Sequence, residues 1–204
     1  MPESQMRWLR AQLEIAQRDQ VLALIFSHHN SLTLENRATR PGADEKLYGA
    51  EEFIALLQEF PVVVGWLNGH THLNQILAHT TDTGGFWEIT TASCIDFPQQ
   101  QQVVELVDNR DGTLSLFTTV LDHSSPAVPG SSGSIADLAS RSRELAANDW
   151  AETPLMRRGS PLDRNTELLL PAPFDLSVIS DAQLEAQHVT ERARLLAYEK
   201  ERGL

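Results

Sequence analysis

Two short, uninterrupted apolar runs, each followed at once by histidines, constrain this chain more than any other feature. The first run is VLALIF at 21–26, which ends in SHHN, and the second is VVVGWL at 62–67, which ends in NGHTH. Runs of this length are typical of strands that are buried on both faces of a sheet. Between them, the amphipathic segment 50–59 predicts a helix that ends before Pro61.

A strand, a helix and a second strand in succession predict parallel neighbours joined by a right-handed crossover. Parallel strands place their carboxyl ends at one edge of the sheet, where open α/β sheets hold their ligands. His28, His29, His70 and His72 directly follow the two predicted strands, so we expect them to converge there. Neutral imidazole is the commonest side-chain metal ligand near neutral pH. The histidines therefore predict a metal site, and a locally extended H-x-H segment would aim both of its rings at that site.

Further elements are predicted on both sides of this centre. Apolar residues at helical spacing predict an amphipathic helix over 3–18. Short strand-like segments follow the second histidine motif, and Asp111-Gly112 offers the turn of a hairpin within 106–122. The predicted fold class is therefore α/β.

The character of the chain changes after residue 123. The segment 124–134 is rich in Ser, Pro and Gly and predicts a linker or a long loop. Helices are predicted over 135–149 and 181–203, and the proline-punctuated stretch 157–176 reads as irregular. We therefore predict a partial domain over 1–123, the linker, and a helical and irregular extension over 135–204.

The other histidines and the single cysteine receive simpler interpretations. His79 is expected on a sheet surface, and His123 and His188 are expected to be solvated. Cys94 is interpreted as a small buried apolar residue. With one cysteine, no disulfide can form within the chain.

A few polar residues near the histidines have two open interpretations. Asp96 is either a carboxylate that orients a ligand histidine or a turn residue before Phe97-Pro98. Asn30 and Asn68, which border the histidines, are either orienting groups or turn formers. The adjacent arginines at 157–158 are interpreted as a solvated pair, with anion steering as the alternative.

Charge and hydropathy exclude some classes of partner. The formal net charge of −12 argues against nucleic-acid binding through a broad basic surface. It is compatible with a phosphorylated substrate, because bound metal ions reverse the local potential. No stretch approaches the roughly 18 apolar residues of a membrane span. The first residues lack the apolar core of a signal peptide, which predicts a cytoplasmic location for this chain and leaves export of a longer parent open.

The two histidine motifs resemble those of calcineurin-like metallophosphoesterases. VLALIFSHHN is similar to the strand and isolated-histidine motif of that family, and Gly69-His70-Thr71-His72 matches its final G-H-x-H motif in full. The segment 84–106 is similar to the strands that follow this motif in a bacterial, actinobacterial-type subgroup. The resemblance covers roughly residues 3–122.

The resemblance implies a fold, an activity and a ligand set. The fold would be the C-terminal portion of a metallophosphoesterase-type β-sandwich flanked by helices. The activity would be that of a hydrolase or phosphatase acting on phosphoric esters through two divalent metal ions, Fe, Mn or Zn. His28 and His70 would bind one metal and His72 the other. Asn30 stands where the family motif has proline, so the choice between His28 and His29 stays open.

The chain also departs from the family. No D-x-H, G-D or G-N-H motif occurs in the 204 residues, and those motifs supply the bridging aspartate, an asparagine ligand and the leaving-group histidine. The resemblance thus implies a C-terminal fragment that is inactive alone, with a phosphorylated small-molecule substrate for an intact relative. The alternative is a non-catalytic remnant or interaction module. Its uncovered sheet surface predicts a homo-oligomer or pairing with a missing N-terminal half.

Overall fold

The computed structural model describes residues 1–35, 45–149 and 154–202, which form four α-helices, seven strands and three short 3₁₀ helices. The helices are α1 Glu3–Arg18, α2 Ala50–Gln58, α3 Ile135–Ala147 and α4 Asp181–Arg202. The strands are β1 Ala23–Phe26, β2 Val63–Asn68, β3 Gln75–Thr81, β4 Gly84–Thr90, β5 Gln100–Asp108, β6 Thr113–Asp122 and β7 Thr166–Pro171. Short 3₁₀ helices cover Pro154–Arg158, Pro161–Asp163 and Leu176–Val178.

The strands form two sheets. The first has the order β1-β2-β4-β3, in which β1 and β4 are both parallel to β2, and β3 is antiparallel to β4. The second is the antiparallel sheet β5-β6-β7. The α/β class and the parallel pairing of β1 with β2 are therefore confirmed. The β5–β6 hairpin is confirmed as well, and Gly112 lies in its turn at φ 88°.

One apolar core lies between the first sheet and helices α1 and α2. Met6, Leu9 and Leu13 recur at helical spacing along α1 and are all buried. They pack with Phe53 of α2 and Trp66 of β2, each no more than 1% exposed. The amphipathic spacing that predicts the two helices is thus the spacing of residues that cover this face of the sheet.

A second core joins the two sheets. Val64 and Ile89 of the first sheet are fully buried against Leu116 of the second. The indole Nε1 of Trp87 donates a hydrogen bond to the carbonyl of Leu169, at 3.1 Å. The first sheet is therefore covered by helices on one face and by the second sheet on the other, as its continuous apolar strands require.

The region after residue 123 contains one element that differs from its prediction. Strand β7 lies within 157–176, where the sequence predicts irregular chain, and it pairs with β6 to complete the second sheet. Burial alternates along β7 and depends on its pairing with β6, a partner distant in sequence. Helices α3 and α4 are confirmed, and the segment 124–134 contains no helix or strand. Among the described residues, no helix combines the length and apolarity needed to cross a bilayer.

Candidate metal site

The parallel pairing of β1 and β2 continues past the ends of the strands and brings their histidines together. The backbone amide of Ser27 donates to the carbonyl of Leu67 at 3.2 Å. The amide of Gly69 then donates to the carbonyl of His28 at 3.1 Å. These two bonds place the SHHN segment directly beside the NGHTH segment, as expected for adjacent carboxyl ends of parallel strands.

Three of the four predicted histidines form a cluster. His70 Nδ1 lies 3.0 Å from His28 Nε2. The ring of His29 is tilted against the ring of His70, with their centroids 4.0 Å apart. One nitrogen atom from each of these three side chains falls within 4.8 Å of the other two. His28 and His70 are exposed and His29 is half-buried, so the cluster is open to solvent.

The H-x-H segment is not extended, which separates its two rings. His70 has φ 66° and His72 has φ 56°, both in the left-handed region. The amide of Thr71 also donates to the carbonyl of Gly69 at 2.8 Å, which closes a tight turn. The expectation that alternate residues share one face is therefore wrong here, because the backbone turns at each histidine. His70 joins the cluster and His72 lies outside it.

His72 is held by a carboxylate. Its Nδ1 donates a short hydrogen bond to Oδ2 of Asp96, and Arg157 forms an ion pair with the same oxygen at 3.0 Å. Asp96 therefore contacts a predicted ligand histidine, and its carbonyl also accepts the amide of Gln99 in a turn, so both of its interpretations apply. The side chain of Arg157 is 17% exposed, and its interpretation as solvated is wrong. Arg158 is exposed as predicted.

The surroundings of His70 favour its neutral form. Partial loss of hydration lowers the pKa of its imidazole, and the neighbouring rings of His29, His28 and His72 lower it further. Positive charge on His70 and on a neighbouring ring would repel each other, which disfavours protonation of His70. The lowered pKa favours the neutral ring, and the neutral ring offers a lone pair to a metal ion.

Asparagine and tryptophan side chains support the loop that carries His28 and His29. Asn30 is buried, and its Nδ2 donates to Oγ1 of Thr71 at 3.1 Å, which links the two histidine loops. The indole Nε1 of the buried Trp66 donates to Oγ of Ser27 at 2.8 Å. That hydroxyl donates in turn to the carbonyl of His29 at 2.6 Å. Asn30 thus acts as a linking group between the two loops.

A buried glutamate beneath the histidines escapes prediction from the sequence. Glu88 of β4 is 0% exposed. Its Oε1 accepts hydrogen bonds from the Ser31 amide at 2.8 Å and from Asn68 Nδ2 at 2.9 Å. Its Oε2 accepts one from His79 Nε2 at 2.7 Å. The available signal was a single acidic residue inside the otherwise apolar strand FWEIT.

These contacts also determine the charge of Glu88 and the environment of His79. Burial alone would raise the pKa of Glu88, but the hydrogen bonds from His79, the Ser31 amide and Asn68 outweigh it, so the pKa is lowered. The side chain of His79 is 14% exposed and stacks on Phe86 with ring centroids 4.8 Å apart. His79 lies on a strand as predicted, but its side chain is mostly covered rather than on the sheet surface.

The remaining predictions have mixed outcomes. His188 is exposed on α4, as predicted. His123 is not simply solvated, because its Nε2 accepts a hydrogen bond from Arg143 Nε at 3.0 Å. Cys94 is exposed, so its interpretation as a buried apolar residue is wrong.

An open groove of about 670 Å³ lies beside Asp96, the residue that contacts His72. Ile95, Leu138 and Leu145 supply its apolar walls, and Arg141 adds a cationic side chain. Asp96, which holds His72, also lines this groove. The groove is therefore continuous with the carboxylate that contacts one of the predicted ligands.

The donor set of the cluster fits a transition metal. Three imidazole nitrogens are the ligands of catalytic zinc sites with an open fourth position, and imidazole also suits iron. In a tetrahedral zinc site, with Zn–N of about 2.0–2.1 Å, two ligand nitrogens are about 3.3 Å apart. The distance of 3.0 Å between His70 Nδ1 and His28 Nε2 is close to that separation.

Comparison with known proteins adds no family: no protein-family model matches this chain, and no curated protein matches it.

Proposed function

We propose that this chain binds a divalent transition metal through His28, His29 and His70, as part of a metal-dependent phosphoesterase site. The observation that carries the proposal is the convergence of three imidazole nitrogens within 4.8 Å at the carboxyl ends of two parallel strands. Solvent-accessible imidazoles grouped at a sheet edge offer lone pairs on one side of a possible ion and leave the other side open to substrate.

The phosphoesterase part of the proposal is supported by the match of Gly69-His70-Thr71-His72 to the family's final motif. The two packed sheets, with helices over one face, agree with a C-terminal portion of that family's sandwich. His72 would serve a second metal. A histidine that donates one ring nitrogen to a carboxylate, as His72 does to Asp96, has the arrangement that is usual for metal-ligating histidines.

A bound divalent metal would polarise a phosphate oxygen and lower the pKa of a bound water toward neutrality. The contribution of the chain is to favour the neutral form of His70, whose pKa is lowered, and to orient His72 through the carboxylate of Asp96. The groove beside Asp96 provides room for the organic group of a phosphoester. The carboxylates that would neutralise a second metal are not among the grouped side chains, so we expect metal binding without turnover from this chain alone.

Metal titration tests the proposal directly. The purified chain is stripped with a chelator and titrated with Zn²⁺, Mn²⁺ and Fe²⁺ by calorimetry, with metal content checked by mass spectrometry. We expect about one tightly bound metal per chain, with strong losses of affinity in His28→Ala and His29→Ala. His72→Ala should retain that first metal. A chain that takes up no metal would refute the proposal and leave the interaction module as the better interpretation.

Hydrolysis is tested separately on p-nitrophenyl phosphate and bis-p-nitrophenyl phosphate. We expect no turnover by the metal-loaded chain alone, and turnover when a polypeptide that carries D-x-H and G-N-H motifs is supplied. Continued inactivity of a metal-loaded complex would reject the phosphoesterase assignment while leaving the metal site intact.

A further inference from the structure

We infer that Glu88 is a positioning residue that locks the two histidine-bearing loops to each other through one carboxylate oxygen. The inference rests on the proposed metal site and adds a group that touches none of its ligands. Glu88 lies on β4, which is next to β2 in the sheet, and its side chain reaches beneath both loops.

One donor to Oε1 comes from the loop that carries His28 and His29, and the other is Asn68, the last residue of β2 before the loop that carries His70. The Ser31 amide, at 2.8 Å, lies two residues after His29. Asn68 Nδ2, at 2.9 Å, belongs to the residue two before His70. Because one oxygen accepts both hydrogen bonds, a shift of either loop changes the position of the other.

The orientation of the Asn68 amide is itself determined. Its Oδ1 accepts a hydrogen bond from Oγ1 of Thr90 at 2.6 Å, so Nδ2 faces Glu88. Asn68 and Thr90 are both buried, so water does not compete for these groups. The loop that carries His70 is consequently tied to β4 through a fixed amide rather than through a rotating side chain.

Packing alone does not account for a carboxylate at this position. Phe86 and Ile89 of the same strand bury apolar side chains, and an apolar residue at position 88 would avoid the cost of desolvating a charge. Glu88 recovers that cost through charge-assisted hydrogen bonds, including the one from His79 at 2.7 Å. An apolar residue would leave the buried donors of both loops unpaired.

The inference predicts different results for two substitutions. In Glu88→Gln the amide oxygen still accepts from Ser31 and Asn68, so zinc affinity should stay within about threefold of the parent. In Glu88→Ala both donors lose their acceptor, and the affinity should fall by about 10- to 100-fold, as for other groups that orient metal ligands. Leu57→Ala is the matched control, because Leu57 is 0% exposed in the core beneath α2. It should lower the melting temperature and leave zinc affinity unchanged.

Zinc affinity is measured by calorimetry on the full chain. Two further measurements are made without metal: the imidazole ¹⁵N chemical shifts of His28 and His70, and hydrogen exchange at the Ser31 amide. Glu88→Ala should move both ring signals and speed the exchange, whereas Leu57→Ala should move neither ring. If Glu88→Ala does not fold, Asn68→Ala replaces it, since it removes the link to one loop, and at least a tenfold loss is expected.

Equal zinc affinity in Glu88→Ala and the parent would overturn the inference, and so would an equal loss in Leu57→Ala. If the parent itself binds no zinc, the proposed function fails. The metal-free signals then decide the role of Glu88: unchanged ring shifts and unchanged Ser31 exchange in Glu88→Ala would reject it as a positioning residue.

Discussion

Replacement of His70 by glycine should remove metal binding while leaving the metal-free fold intact. The residue has φ 66°, which a side-chain-bearing residue adopts at a cost of roughly 1–2 kcal/mol and glycine adopts freely. Glycine also makes the unfolded chain more flexible, which costs about 0.5–1 kcal/mol. The two effects oppose each other, so we expect the free energy of unfolding of metal-free His70→Gly to lie within about 1 kcal/mol of the parent.

The effect on metal binding should be far larger. Structural zinc sites bind with about 10–16 kcal/mol shared among four ligands, which is roughly 2.5–4 kcal/mol for each ligand. His70 is central to the cluster, since it lies against both His28 and His29. Its loss should therefore weaken zinc binding by about 100- to 1,000-fold.

Thermal unfolding with and without zinc measures both effects. At a zinc concentration of about 100 times its dissociation constant, the parent gains about 2.7 kcal/mol, which corresponds to a rise in Tm of about 5–11 °C for a chain of this size. At the same zinc concentration, His70→Gly should gain no more than about 0.4 kcal/mol, or about 1–2 °C. His188→Ala, on the exposed face of α4, should retain the full rise. A full rise in His70→Gly would refute the assignment of His70 as a ligand.

Three further predictions concern the groups that support the site. The folded state lowers the pKa of Glu88, so the stabilisation that its carboxylate provides is present above the ordinary pKa of 4.5 and is lost as pH falls through the folded pKa. The free energy of unfolding, measured in urea across pH 3–6, should show this loss, and Glu88→Gln should flatten its pH dependence. Trp66→Phe removes the indole donor to Ser27 and should lower the free energy of unfolding in urea by about 1–3 kcal/mol. An unchanged unfolding midpoint would contradict a stabilising role for this hydrogen bond. Gly159 has φ 66°, and an added Cβ would lie 2.2 Å from the carbonyl oxygen of Asn74. Gly159→Ala should therefore lower the free energy of unfolding by at least about 2 kcal/mol in thermal unfolding. Gly133→Ala is the control, because a Cβ at Gly133 would meet no atom within 4 Å.

Local sequence patterns were sufficient for the elements that surround the site. The helical spacing of Met6, Leu9 and Leu13 predicts α1, and the continuous apolar runs predict the strands β1 and β2. Burial is confirmed for β2 and is wrong for β1, which lies at the edge of the sheet and leaves Phe26 69% exposed. Strand β7 was missed because its alternating burial depends on pairing with β6, a partner distant in sequence. Local patterns report which face of an element is buried, and they do not report which distant segment covers it.

The grouping of the histidines likewise follows partly from the sequence and partly from the tertiary structure. Strand order predicts that His28, His29, His70 and His72 meet, because parallel strands end at one edge of the sheet, and the first three of these do. Which nitrogen atoms come together depends on the positive φ angles at His70 and His72, and sequence spacing does not reveal them. The residue that stands beside His72 is an aspartate from the loop after β4.

The sequence by itself determined the α/β class, the positions of the principal helices and strands, and the edge of the sheet at which the histidines gather. Side-chain periodicity and chain order decide those features locally. Only the tertiary structure decided that His29 joins the cluster and His72 leaves it, and that Glu88 lies beneath both loops. The physical reason is that these positions depend on backbone dihedral angles and on hydrogen bonds between segments that meet only after the sheet has formed.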